Sequence, residues 1–163
     1  MTNGSQVGKV ASLHLHPAIS GEPLQSVNEI RAEAGKGIAG DARMFGRKDR
    51  KGEPSRRQIS LMAREQIAQH AAALGLPAIA PGAVRANIET AEVDLILLIG
   101  QLVKVGGAVL FFYEPRTPCG KMDLVAPGLR ELMAHGRQGV MAQVVISGDI
   151  RVGDAILEMI THD

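Results

Sequence analysis

Nineteen glycines, spread along 163 residues, cut the apolar stretches of this chain into short pieces. Glycine supplies turn conformations that other residues resist and weakens the interiors of regular elements. Short strands joined by many turns are therefore favoured over long helices. The core must be aliphatic, because the chain has no Trp, one Tyr and three Phe. A hydrophobic fraction of 45% and a charged fraction of 21% suit an ordinary globular protein. The length is that of one domain with a real core, so residues 1–163 are expected to form a single unit.

The elements follow from local pattern. Val7–His16 alternates imperfectly and ends at Pro17, which predicts a strand, and Ser26–Glu33 predicts a second. Gly35-Lys36-Gly37-Ile38-Ala39-Gly40-Asp41 is a glycine-rich turn without the Gly-Lys-Ser/Thr ending of a phosphate loop. Arg57-Gln58-Ile59 reads as a short extended piece. Ser60 reads as an N-cap, with a helix over Leu61–Leu74. Ala63, Ile67, Ala71 and Leu74 share one face of it, and Gly75 supplies the stop. Val84–Glu89 and Asp94–Val105 read as extended. Gly106-Gly107 predicts a hairpin into Ala108–Tyr113. Pro127–Ala134 predicts a short helix closed by Gly136. Val140–Ser147 and Ala155–Ile160 complete the strands, with a turn at Gly148-Asp149 between them. The pattern is that of a barrel or sandwich with helical inserts.

Several function classes are disfavoured at once. One cysteine cannot form an internal disulfide, so the chain is not a secreted disulfide scaffold. The N-terminus lacks a basic stretch followed by an apolar one. The longest apolar segment, Val93–Val105, is broken by Asp94, Gly100, Gln101 and Lys104, so no membrane span is expected. A reducing cytoplasm is the expected compartment. Net charge is +1, yet Arg43–Arg57 holds seven basic residues against Asp49 and Glu53, a formal charge of +5. A solvated loop accounts for Arg47–Lys51, and an anion-attracting rim beside a pocket is the functional alternative. Nucleic acid is a poor partner for it, since aromatics for base stacking are nearly absent.

Cys119 carries the chemistry. A lone cysteine is more often a buried, inert hydrophobe, but this one lies beyond the apolar run Ala108–Tyr113 in Glu114-Pro115-Arg116-Thr117-Pro118-Cys119-Gly120-Lys121. Two prolines fix the backbone before it, and Gly120 removes bulk after it. Arg116 and Lys121 bring positive charge that favours thiolate over thiol. That places the sulfur in a loop at a strand's end, where reactive groups are presented.

The landmarks in order resemble a known family. Gly37-Ile38-Ala39-Gly40-Asp41, Arg57-Gln58-Ile59-Ser60-Leu61, Arg85-Ala86-Asn87-Ile88 and Ile99-Gly100 come first; Pro118-Cys119-Gly120-Lys121, Arg137-Gln138-Gly139-Val140 and Gly153-Asp154 follow. The series is similar to that of the MOSC domain, the C-terminal domain of molybdenum-cofactor sulfurases, which also occurs as small stand-alone bacterial proteins. The resemblance implies a mainly β, barrel-like fold with a few short helices and a pocket-facing cysteine. It implies that Cys119 ligates molybdenum of the pterin cofactor, and that Arg85 and Asn87 contact the cofactor. Ser60 and Lys121 are further candidate donors, a phosphate being met by charged and hydroxyl groups and a soft metal by thiolate. Each has a plainer alternative: a cap for Ser60, solvation for Lys121, a surface ion pair for Arg85, a strand-edge hydrogen bond for Asn87. In one respect the chain departs from the family, whose glycine-rich motif places a basic residue directly after the aspartate. Here Ala42 follows Asp41, and Arg43 comes next.

Three functions stay open at this stage. One is a molybdenum-cofactor enzyme, an oxidoreductase acting on N-hydroxylated or similar compounds, paired with a separate reductase. Another is a sulfur carrier with a persulfide on Cys119, fed by a separate cysteine desulfurase. The third is a non-catalytic module that holds the cofactor. No metal site of histidines is expected. His14 and His16 share a strand face without a third ligand and read as exposed, while His70, His135 and His162 are scattered.

Overall fold

The computed structural model describes residues 2–161. In chain order the strands are β1 (Thr2–Leu15), β2 (Gln25–Val27), β3 (Glu29–Glu33), β4 (Gly37–Ile38) and β5 (Ile59–Ala63), followed by helix α1 (Arg64–Ala73) and β6 (Ile88–Ala91). A 3-10 turn (Ile96–Leu98) leads to the hairpin β7 (Leu102–Val105) and β8 (Ala108–Pro115). Two short helices come next, α2 (Lys121–Val125) and α3 (Leu129–Met133). Then come β9 (Val140–Ile146), β10 (Gly148–Arg151) and β11 (Ala155–Thr161).

Seven strands close into a barrel in the order β11-β7-β8-β9-β5-β6-β1, with β1 pairing back to β11 and β2 appended to β1. β5 and β6 run parallel, Leu61 beside Ile88, so the barrel is mixed. Closure leaves no free edge in the ring. β10, β3 and β4 form a separate three-stranded sheet. Strand alternation shows in β7, where Val103 and Val105 are buried while Leu102 and Lys104 are exposed. The interior is aliphatic, with Leu13, Ile59, Leu61, Ile88, Leu110 and Ile156 fully buried around Phe112. A second apolar cluster, built on Met62, Ile67, Val84, Met122, Leu129 and Met133, packs the helices against one part of the barrel.

Several local expectations are corrected. The helix begins at Arg64, because Leu61–Ala63 is drawn into β5 by pairing with β6 and β9. Ser60 is thus a buried strand residue and caps nothing. Asp94–Val105 is extended only from Leu102, the 3-10 turn occupying its first half. Val84–Asn87 is loop rather than strand, with Arg85 in a left-handed conformation at φ 62°. Gly148-Asp149 opens β10 instead of only turning. Cys119 is followed by α2, a helix that the sequence pattern did not announce. His14 and His16 are buried, not exposed. His14 sits between Ser12 and Ser26 and faces Glu89, and burial holds its imidazole below the ordinary value against the pull of that carboxylate.

Candidate functional site

At the end of β1 the chain enters a buried polar knot. Asp41, from the glycine-rich turn, accepts hydrogen bonds from His16 N (3.1 Å), His16 Nδ1 (2.8 Å), Arg43 N (3.0 Å), Met44 N (2.9 Å) and Asn87 Nδ2 (2.8 Å). Burial alone would raise its pKa. The bonds from the His16 ring and backbone, the charge of that ring and the Met44 N–H together hold it down to about 2. Asn87 is fully buried and its amide is fully used. Oδ1 accepts from Ser60 N and the Ser60 hydroxyl, while Nδ2 also donates to His14 O at 3.0 Å. Asn87 N donates in turn to Ser60 Oγ at 3.0 Å. The asparagine therefore ties β1, β5 and the glycine-rich turn together, and it does not line the cleft described next.

That cleft lies above the knot in two connected parts. A broad outer basin of about 510 Å³ is lined by Arg43, Arg47, Lys48, Arg57 and Arg85, with His16 at its floor. An inner pouch of about 160 Å³ shares His16, Arg43, Met44, Arg57 and Arg85 with the basin. It adds Cys119, Arg116, Lys121, Ser60, Gln138 and Glu114, with Met122 and Met141 as apolar walls. The structure thus gathers Cys119, Arg85, Ser60 and Lys121 in one place, although Ser60 and Cys119 lie far apart in sequence. Four of the basic residues from the Arg43–Arg57 segment face the basin, the rim arrangement rather than a loop facing only bulk solvent.

Cys119 is exposed, in the loop between β8 and α2. That loop is held by the ladder before it: Pro115 pairs with Val140, and Arg116 N donates to Gly139 O at 3.0 Å. The Arg116 guanidinium bridges two carbonyls, Gln138 O and Val84 O, both at 3.2 Å. Burial pushes its pKa down to about 10; Cys119 opposes the drop and Arg57 adds to it. Arg116 therefore remains cationic at neutral pH, beside the sulfur. Arg85 Nη1 donates to Glu22 O at 3.0 Å, and Lys121 Nζ lies 3.4 Å from Ser20 Oγ, so two cleft cations hold the same loop.

Sequence pattern alone did not single out His16, Arg57 or Gln138 as site residues. His16 and Asp41 are separated by 25 residues, and only folding joins them. Arg57 and Gln138 do stand inside the quoted motifs, which was the available signal. Among the described residues no group of three or more His, Cys, Asp or Glu side chains is placed to hold a metal ion. No helix of the described residues is long and apolar enough to cross a membrane.

Comparison with solved structures finds the same architecture in YuaD from Bacillus subtilis, at a TM-score of 0.80 and 20% identity, covering 99% of this chain and 100% of that one. YiiM from Geobacillus stearothermophilus aligns at 0.69 and 16% identity over 94% of this chain and 75% of that one. YiiM from Escherichia coli aligns at 0.64 and 19% over 97% and 70%. These identities speak to the fold alone. Comparison with curated proteins finds no match. The MOSC domain profile matches residues 17–157, which run from the residue after His16 to the last barrel strand and include every motif of the cleft. With that match over most of its length and the barrel to go with it, the chain belongs to the MOSC domain family.

Proposed function

We propose that this protein binds the molybdenum cofactor in the basin and pouch, with Cys119 as the ligand that the chain offers to the metal. The MOSC family is associated with that cofactor. The observation that carries the reading is the convergence of one exposed thiol with Arg43, Arg57, Arg85 and Lys121 on a single cleft. The donor set fits the group. A soft sulfur suits molybdenum, the guanidinium groups suit a phosphate, and the buried Gln138 Oε1 has no hydrogen-bond partner among the described residues. When bound, the cofactor supplies two-electron redox chemistry at molybdenum.

The residues of the chain have separate tasks. Arg43, Arg57 and Arg85 line both parts of the cleft and would hold the phosphate, so the basic residue displaced by one position from its usual place still reaches the site. Lys121 adds charge at the pouch. Arg116 stays on its two carbonyls and holds the loop that carries Cys119 in place. Asn87 acts behind the cleft wall by fixing Asp41, and Ser60, which lines the pouch, is held in turn by Asn87. A separate reductase would supply electrons if the bound form is an oxidoreductase.

The exposure of Cys119 favours one other reading, a persulfide carrier charged by a separate cysteine desulfurase. Cofactor retention in variants produced in a cofactor-synthesising host separates the two. Cofactor binding requires Arg85→Ala to lower retained pterin by about tenfold or more, for a charge-assisted bond of about 1.5–3 kcal/mol. It requires Cys119→Ser to keep part of the pterin while losing metal-centred activity. Loss of sulfur transfer in Cys119→Ser, with full transfer in Arg85→Ala and no pterin in either, would establish the carrier instead.

A further inference from the structure

His16 forms the floor of the cleft and is held from one side only. Its backbone N–H and its ring Nδ1 both donate to Asp41 Oδ2, at 3.1 and 2.8 Å. Asp41 is ionised at neutral pH, its pKa lying at about 2, so Nδ1 carries a proton in either charge state of the ring. Nε2 has no hydrogen-bond partner among the described residues. It is also not one of their enclosed unpaired atoms, which are Thr90 Oγ1, the Tyr113 hydroxyl and Gln138 Oε1. Nε2 therefore opens on the cleft, both parts of which His16 lines.

The charges around the ring pull in two directions. Asp41 favours the imidazolium from below, while Asn87, 3.5 Å from Nδ1, is neutral. Arg43, Arg57 and Arg85 share both parts of the cleft with His16 and oppose its charge. Arg47 and Lys48 add to them in the basin, Arg116 and Lys121 in the pouch, where Glu114 and Cys119 are the acidic groups. An oxyanion in the basin reverses this balance. It offsets the cations and sets negative charge above the ring, opposite Asp41. A neutral ring would turn the Nε2 lone pair towards the oxygens of the anion, whereas the imidazolium turns an N–H towards them. Anion and proton therefore enter together.

We propose that His16 is a proton-linked donor of the basin: its Nε2–H bonds to a bound oxyanion such as a phosphate monoester or sulfate, and the ring takes up a proton from solvent as that anion binds. The inference rests on the reading of the basin as an anion site and makes that site pH-dependent. Affinity is greatest with the ring charged and falls as pH rises through its titration. Asp41 is the positioning residue, since it aims the ring.

Sulfate binding to the cofactor-free full chain tests it, because the charge of sulfate is constant where histidine titrates. Every protein used carries Cys119→Ser, so that a thiolate forming in the pouch cannot mimic the effect. Calorimetric affinity should fall about tenfold between about pH 5.5 and pH 8, through loss of one charge-assisted bond. By reciprocity, the His16 ring followed by NMR should titrate about one pH unit higher in saturating sulfate. His16→Asn keeps an N–H for Asp41 but has nothing at the place of Nε2, so it should bind about tenfold more weakly at low pH and lose most of the pH dependence. His16→Gln offers an N–H near that place without a titrating ring, and should regain affinity without regaining the pH dependence. Sulfate affinity with the full pH dependence in His16→Asn overturns the proposal, as does a ring titration that sulfate does not move, or no sulfate binding at all. If neither variant folds, the ring titration decides alone. Proton-linked sulfate binding by a protein that never retains pterin would defeat the cofactor reading and leave this inference standing, and pH-independent sulfate binding would do the reverse.

Discussion

The side-chain amide of Asn87 donates to Asp41 Oδ2 at 2.8 Å across 46 residues of sequence, and the same amide accepts twice from Ser60. Neither Asn87 nor Asp41 touches the cleft, yet together they set the position of His16 at its floor. Removing the amide leaves Ser60 and an ionised carboxylate short of buried partners. Asn87→Ala should therefore destabilise the fold by about 2–4 kcal/mol, read as a drop in the midpoint of denaturant unfolding. A change below about 0.5 kcal/mol would show that the knot is not structural.

The low pKa of Asp41, about 2 against the usual 3.8, makes stability depend on pH with a definite sign. A carboxylate whose pKa is depressed by folding stabilises the native state above its unfolded value. That contribution is lost as pH falls through about 4 towards 2, and amounts to about 2 kcal/mol. Asp41→Asn lacks it. The stability difference between wild type and Asp41→Asn should thus shrink by about 2 kcal/mol between pH 5 and pH 2 in urea titrations, whereas a constant difference would mean that Asp41 titrates normally.

Gly139 has φ +84°, and a Cβ there would collide with the Leu61 carbonyl and approach Met62 Cα to 2.8 Å. Both neighbours are backbone of β5, so neither gives way cheaply. Gly139→Ala combines that clash with a backbone region costly for non-glycine residues. It should destabilise by more than about 3 kcal/mol or abolish soluble expression, and a melting point within a few degrees of wild type would refute the contact.

Arg85 separates stability from binding. It is held at φ 62°, a conformation costing about 1–2 kcal/mol for a side-chain-bearing residue. Arg85→Gly relieves that strain and adds about 0.5–1 kcal/mol of backbone entropy cost, so net stability should move by about 1 kcal/mol or less. Binding of inorganic pyrophosphate, followed by calorimetry, should weaken by about tenfold or more through loss of one guanidinium. Equal affinity in the two proteins would remove Arg85 from the anion site.

What could be read in advance was governed by local chemistry. The Gly106-Gly107 hairpin, the strand at Val140 and the exposed loop position of Cys119 all follow from turn residues and short-range pattern, and the structure has them. The barrel and its family were legible through the order of seven motifs. The errors arise where distant pairing decides. Leu61–Ala63 has helical spacing but is claimed by β6 and β9 on either side. His14 and His16 sit near a strand end, and their burial depends on Glu89 and Asp41, residues that no local window contains. Asn87 matched a motif, but only the folded chain shows its amide consumed by Ser60, His14 and Asp41.

The central claim is that this cleft holds a molybdenum pterin, and the most direct measurement is the molybdenum and pterin content of wild-type protein purified from a cofactor-synthesising host. The account predicts both in a fixed ratio approaching one per chain, with metal falling sharply in Cys119→Ser. Wild-type protein free of pterin and molybdenum from such a host would contradict it.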